Sequence, residues 1–290
     1  MSERLKTQRM ALLVLGAMLP AVGHTEVNER MKLPLWEFGA GIAGLNLPYY
    51  RGSDEKVSYL VPYPYLIYRG ARLRVDEVEG ARSRVFQSER IKLDISLAGG
   101  VPVPRDDAEV RAGMPGLDPT AEIGPSLSVR LWHDGEMQRN LWLRLPLRTV
   151  FSVGRSGVEY QGLALAPFVE WTTSSGAYNN LRRTSISIGP LFADKNYHAY
   201  FYEVSAADST TQRPKYNASG GYSGSRITLK AQKRFDDLRT EIFARYDSLN
   251  GAVFVDSPLV RNKEYLIVGF AMSWVFAKSS RRVEAGQGQE

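Results

Sequence analysis

The sequence predicts an all-β fold, a transmembrane antiparallel β-barrel of about 12 strands. Three observations lead to this prediction. Apolar and polar residues alternate along most of the chain after residue 23, as in strands with one apolar and one polar face. The alternating segments run to about 9–12 residues, the length that a tilted strand needs to cross a bilayer. Aromatic residues gather at the segment ends, where interfacial girdles form in membrane barrels.

The N-terminal residues have the layout of a secretory signal peptide. Basic residues precede a short apolar run over 11–19, and the small residues Ala21 and Gly23 follow it. The run is much shorter than the roughly 20 residues of a membrane-spanning helix. We predict a signal peptide over 1–23, a barrel over 24–276 and a polar, disordered tail over 277–290.

The segment 91–97 shows the alternation most clearly, because its apolar residues fall on one face and Lys92, Asp94 and Ser96 on the other. Residues 72–86 fit either one strand with a bulge or two short strands, and we count them as one. The predicted strands are 35–46, 57–68, 72–86, 90–98, 120–132, 139–151, 161–172, 182–192, 196–205, 224–234, 237–247 and 264–276.

The polar faces of these strands carry charges of both signs, which a barrel would enclose in its lumen. A soluble β-sandwich has the same alternation with its apolar face inward. The segment lengths and the aromatic ends favour the barrel, in which charges at mid-bilayer are costly on the lipid side. The predicted lumen charges are Lys92, Asp94, Glu122, Arg130, Arg144, Arg148, Glu170, Arg226 and Lys230.

Composition excludes several other classes of function. The chain has no cysteine and therefore no disulfide or cysteine-linked lipid. Its formal charge of +6 is spread along the chain without a Lys/Arg-rich block, which argues against nucleic-acid binding. Paired acids lack the spacing of a calcium loop, so we expect no metal and no cofactor. His198 has Asp194 and Glu203 nearby and could act as a base, but no nucleophile motif accompanies it. We expect no catalytic residue and no enzyme.

Several segments together resemble the MipA/OmpV family, named for the MltA-interacting protein. The resemblance covers about residues 36–276. It rests on 48–54 (PYYRGSD), 62–65 (PYPY) with 68–70 (YRG), 113–119 (GMPGLDP) with 122–125 (EIGP), 145–148 (LPLR), 196–201 (NYHAYF) and 256–260 (DSPLV).

The resemblance implies a β-barrel in the outer membrane of a Gram-negative bacterium, in contact with its lipid. For the founding member it implies a scaffold that joins a lytic transglycosylase to a peptidoglycan synthase, so we expect a scaffold for peptidoglycan-remodelling enzymes in the cell envelope. The alternatives are a porin-like channel and a surface-exposed antigen or adhesin barrel.

The predicted strand order also assigns sides to the connections. With the N-terminus in the periplasm, 47–56, 133–138, 173–181, 206–223 and 248–263 face outward. The 21-residue connection 99–119 then faces the periplasm. We predict that it is a periplasmic docking segment, with Arg105, Asp106, Asp107, Arg111 and Met114 as the contact residues. If one strand is miscounted, the connection lies outside instead.

Overall fold

The computed structural model describes residues 32–70, 73–76, 80–88, 90–104, 108–155 and 157–284. The predicted signal peptide lies outside these residues. No helix in the described part of the chain is long and apolar enough to cross a membrane. The elements are β1 (Lys32–Pro34), β2 (Trp36–Pro48), β3 (Lys56–Arg69), β4 (Leu73–Asp76), β5 (Gly80–Gln87), β6 (Ile91–Gly100), β7 (Thr120–Asp134), β8 (Arg139–Gly154), β9 (Gly157–Leu165), β10 (Phe168–Ser175), β11 (Arg182–Ala193), α1 (Lys195–Tyr202), β12 (Gly221–Phe235), β13 (Leu238–Ser248), β14 (Glu264–Lys278) and β15 (Arg282–Glu284).

Strands β2 to β14 form one antiparallel sheet whose pairings return to their starting point. β14 pairs with β2, and β8 and β11 each pair with both β9 and β10. β9 and β10 therefore share one position, so the thirteen strands of this sheet in the described residues occupy twelve positions. The ring confirms the predicted antiparallel sheet of about 12 strands. Its shortest pairings, β3 with β4 and β9 with β11, each comprise two residue pairs.

Two predicted elements are wrong, and their errors cancel in the count of strand positions. A third, the predicted strand 161–172, is interrupted and forms β9 and β10. The predicted single strand 72–86 is two strands, β4 and β5, which pair with each other. The predicted strand 196–205 is the helix α1 followed by a short extended segment. As a result, every predicted connection in the sequence between these two elements was assigned to the wrong end of the barrel. The structure therefore reverses the predicted sides of 99–119, 133–138 and 173–181.

The apolar side chains point outward, as the barrel prediction requires. On β14 the side chains of Leu266, Val268, Phe270 and Met272 are exposed, whereas Ile267 and Ser273, which point to the other face, are each 4% exposed. On β12 the exposed Ile227 and Leu229 flank the buried Thr228 in the same way. A sandwich would bury these apolar faces. An apolar exterior around a polar interior is the arrangement of a barrel surrounded by lipid.

The two ends of the barrel differ in the length of their connections. One end, the loop end, carries 49–55, 101–119, 194–220 and 249–263; the other, the turn end, has only short turns such as 135–138 and 236–237. The first and last strands of the described residues, β1 and β15, also pair at the turn end. Because β14 continues to Lys278 and residues 282–284 form β15, the prediction of a disordered tail is wrong for 277–284. Residues 285–290 lie outside the described ones.

Candidate functional site

Four long connections pack together into a cap over the loop end of the barrel. The cap comprises parts of 49–55, 101–119, 194–220 and 249–263, and it has an apolar core like that of a soluble domain. This core also touches two inward-facing residues of β14. Its buried side chains are Tyr50, Val103, Ala108, Met114, Leu117, Tyr202, Val204, Leu249, Ala252, Phe254, Leu259, Tyr265 and Ile267.

Phe254 and Tyr202 form the centre of the cap. Their rings stack at 3.8 Å between centroids with an interplanar angle of 6°. Both side chains are among the largest that are fully buried. The Tyr202 hydroxyl donates to the Arg51 carbonyl oxygen at 2.9 Å, and the Ser257 hydroxyl donates to the Tyr202 carbonyl oxygen at 2.7 Å. This one aromatic pair therefore ties three of the four connections together.

The helix α1 places Tyr202 and His198 in this core. The Asp194 carboxylate accepts from the Tyr197 amide at 2.9 Å, as an N-cap residue does. His198 and Tyr202, four residues apart, lie on the buried face of the helix. Gly162, with a φ of +121°, lies against this N-terminus, and a Cβ there would collide with Asp194 and the Tyr197 amide.

His198 is buried in the cap, and both of its ring nitrogens have hydrogen-bond partners there. Its Nδ1 is 2.6 Å from the Ser219 carbonyl oxygen and its Nε2 is 2.6 Å from the Ser223 hydroxyl. Burial lowers the pKa of His198 below its ordinary value. The nearby acids have other roles, because Asp194 caps α1 and Glu203 accepts from the Ala218 amide.

Two buried arginines attach the connection 101–119 to the rest of the cap. Arg213 donates to the carbonyl oxygens of Val110 at 2.9 Å and Ala112 at 3.0 Å. Arg111 donates to the Phe201 carbonyl oxygen at 3.0 Å and lies over the Tyr50 ring. Burial lowers the pKa of Arg111.

These contacts correct the predicted position of the docking segment. Connection 101–119 lies at the loop end, and the side chains of Arg111 and Met114 are buried in the cap. Arg105, Asp106 and Asp107 lie outside the described residues. The docking role itself stays a prediction. A partner that docks on this segment would bind the loop end, where the other long connections lie.

The predicted lumen charges all lie on the inner face, and none of them is exposed. Arg144 pairs with the Glu170 carboxylate at 2.7 Å. Arg148 contacts Glu122 at 3.3 Å and donates to the Ser96 hydroxyl at 3.0 Å. Lys92 and Arg130 lie over the Trp142 ring. Asp94 is buried, and Lys230 and Arg226 are half-buried.

Arg226 belongs to a cluster that the alternation pattern does not reveal. The Asp247 carboxylate, which is fully buried, contacts Arg226 Nε at 3.1 Å, Arg51 Nε at 3.5 Å and Arg245 Nε at 2.6 Å. Arg51 also donates to the Tyr265 hydroxyl at 3.2 Å. We call these residues the Asp247 cluster. It lies at the loop-end limit of strands β12, β13 and β14, below the cap.

A second cluster, the Glu37 cluster, lies at the turn end and also consists of one carboxylate and three arginines. Glu37 is fully buried and contacts Arg69 at 2.7 Å, Arg234 at 3.1 Å and Arg239 at a short distance. Arg69 also donates to the Pro34 carbonyl oxygen. Each of these residues lies on a polar strand face in the sequence. Their meeting depends on the sheet register and on contact across the lumen, which the alternation does not specify.

Comparison with known proteins agrees with the sequence resemblance. The family model described as MltA-interacting protein MipA matches residues 40–276. The chain belongs to the MipA family. No curated protein matches the chain. A solved structure titled "Bacterial polysaccharide outer membrane secretin" matches with 10% identity and a TM-score of 0.40, covering 83% of this chain and 99% of that one. A likeness this weak carries no argument about function.

Four of the segments that resemble the MipA family meet in the cap although they are far apart in sequence. Tyr50 comes from 48–54, Met114 and Leu117 from 113–119, and Leu259 from 256–260, and all four side chains are in the apolar core. Phe201, from 196–201, packs against the same core. The resemblance therefore concerns a packed three-dimensional unit as well as a set of strands.

Proposed function

We propose that this protein spans the bacterial outer membrane and acts there, without catalysis, as an interaction scaffold for a lytic transglycosylase and a peptidoglycan synthase. The family description supports a partner of the lytic transglycosylase type. The apolar exterior of the barrel supports lipid contact, because exposed faces such as that of β14 would be costly in water.

The apolar core of the cap is the observation that favours a scaffold role over a channel. An open pore needs a continuous aqueous path, but four connections pack fully buried aromatic and aliphatic side chains at the loop end. Below it, arginines and carboxylates of neighbouring strands pair along the inner face. A barrel that is capped in this way serves as a rigid membrane-held platform.

The turn end is the proposed docking surface. In outer-membrane barrels the short turns face the periplasm and the long loops face outward. The turn end also carries β1 and β15, the paired first and last strands of the described residues. Exposed groups there include Met137 in the turn 135–138, Arg281 just before β15 and Arg282 at its start. These residues would meet enzymes that work on the cell wall.

The test is a binding measurement with variants at each end. The detergent-solubilised protein is immobilised, and binding of a purified lytic transglycosylase from the same envelope is measured. We expect Arg281→Ala combined with Met137→Ala to weaken binding at least tenfold. The matched loop-end variant, Arg261→Ala combined with Val253→Ala, should leave binding unchanged. The reverse result, or wild-type protein that captures no transglycosylase, would contradict the proposal.

The second candidate function is a porin-like channel, which the excess of arginine over carboxylate in the lumen favours. The two clusters alone place six arginines against two carboxylates. Reconstitution in planar bilayers separates the two functions. The scaffold proposal expects no steady conductance, whereas anion-selective open channels would support the channel.

A further inference from the structure

The positive charge of the Asp247 cluster exceeds the negative charge that contacts it. Three guanidinium groups converge on one carboxylate, so the cluster carries a formal charge of +2. Among the described residues no second carboxylate contacts these arginines. Partly buried charges that lack a counter-charge are costly because the low-dielectric surroundings do not solvate them. The arrangement therefore favours the arrival of an anion.

The hydrogen-bonding geometry leaves donors for that anion. Arg226, Arg245 and Arg51 all contact Asp247 through Nε. Within the described residues the terminal Nη atoms of Arg226 and Arg245 donate no hydrogen bond. Arg51 Nη2 is buried without a hydrogen-bond partner. A guanidinium presents its Nη groups as a fork that matches carboxylate and phosphate oxygens.

The cluster is also accessible, unlike the Glu37 cluster. The side chains of Arg226 and Arg245 are 31% and 27% exposed, and they point into the lumen. The three arginines around Glu37 are at most 7% exposed. The Glu37 cluster is thus closed to a ligand, whereas the Arg226 and Arg245 side chains beside Asp247 are partly exposed.

We propose that the Asp247 cluster is a binding site for a small oxyanion, a phosphate or carboxylate group, held by the Nη atoms of Arg226 and Arg245 and attracted by Arg51. The Asp247 carboxylate holds the three arginines in position. The site lies in the lumen, which excludes a bilayer headgroup as the occupant. This site does not depend on the scaffold role, and its test involves no protein partner.

The test is calorimetric titration of the full chain in detergent with sodium phosphate, sodium acetate and sodium chloride at matched ionic strength. We expect saturable binding of phosphate or acetate but not of chloride, and the comparison of the first two identifies the preferred oxyanion. Arg226→Gln should weaken this binding at least tenfold. Lys230→Gln is the matched control, because it removes the same charge from the same face of β12 about 13 Å away. The control should change affinity less than twofold.

A second variant keeps the proposal testable if Arg226→Gln does not fold. Asp247→Asn removes the competing negative charge but keeps one side-chain oxygen that can accept from the arginines and position them, so phosphate should bind roughly tenfold more tightly. Phosphate should also raise the unfolding temperature of this variant more than that of the wild type. The absence of saturable binding to the wild type would overturn the proposal. Equal weakening by Arg226→Gln and Lys230→Gln, or no gain in Asp247→Asn, would overturn it as well.

Discussion

The two ends of the barrel are stabilised by different chemistry. At the loop end, four connections build an apolar core around Phe254 and Tyr202. At the turn end, the buried Glu37 carboxylate holds three arginines from β3, β12 and β13. The difference shows that long loops can form their own core above the membrane. Short turns cannot, so the strand ends have to be joined by ion pairs.

The largest effect is expected from Phe254→Ala at the loop end. Deleting a fully buried aromatic ring should lower the free energy of unfolding by about 4 kcal/mol, because the stacked Tyr202 ring loses its neighbour and a cavity forms. Urea unfolding in detergent measures the change. Phe270→Ala is the control, since Phe270 is exposed on the outside and detergent can fill the space. Equal losses from the two variants would contradict a packed cap.

A somewhat smaller loss is expected from Glu37→Gln at the turn end. The change should cost about 3 kcal/mol, because three buried arginines lose their shared counter-charge. Hydrogen exchange should increase in β1, β15 and the ends of β12 and β13, while the cap stays protected. The control Glu241→Gln alters a carboxylate that accepts from Gln232 and should cost about 1 kcal/mol or less. Unchanged stability of Glu37→Gln would show that the cluster does not hold the turn end.

The smallest expected effect is a pH dependence of stability that is confined to the loop end. Because burial lowers the pKa of His198, the unfolded cap binds a proton more readily than the folded cap. Stability conferred by the neutral His198 is therefore full above about pH 6.5 and falls as the pH drops below that value. Limited proteolysis of the loops at pH 8 and pH 5 should show faster cleavage at pH 5. His198→Gln should remove most of this difference; if the difference persists unchanged, another group is responsible.

The sequence predicted the walls of the barrel better than its ends. Period-2 alternation depends on local side-chain direction, and the polar-face residues Lys92, Arg144 and Glu170 that it singles out are half-buried or buried in the structure. The cap core has no such period, because Phe254 and Leu259 come from irregular connections. The meeting of Glu37 with Arg234 depends on contacts across the lumen that no local pattern encodes.

The two wrong elements have identifiable physical causes. Residues 72–86 contain two strands of four and eight residues, too short for the strand length expected in a membrane barrel. The segment 196–201 contains the aromatic residues Tyr197, Tyr200 and Phe201, a residue type enriched in strands, yet it forms a helix. A signal for this helix was present, because Asp194 precedes Tyr197 by three residues as an N-cap acceptor does.

The central claim is that the apolar faces of the strands contact lipid while the polar faces are enclosed. Because the chain has no cysteine, single cysteines can be placed at Ile227, Thr228 and Leu229, spin-labelled and measured in a bilayer for collision with oxygen dissolved in the lipid. The account predicts high accessibility at 227 and 229 and low accessibility at 228. Equal accessibility at the three positions, or the highest value at 228, would contradict it.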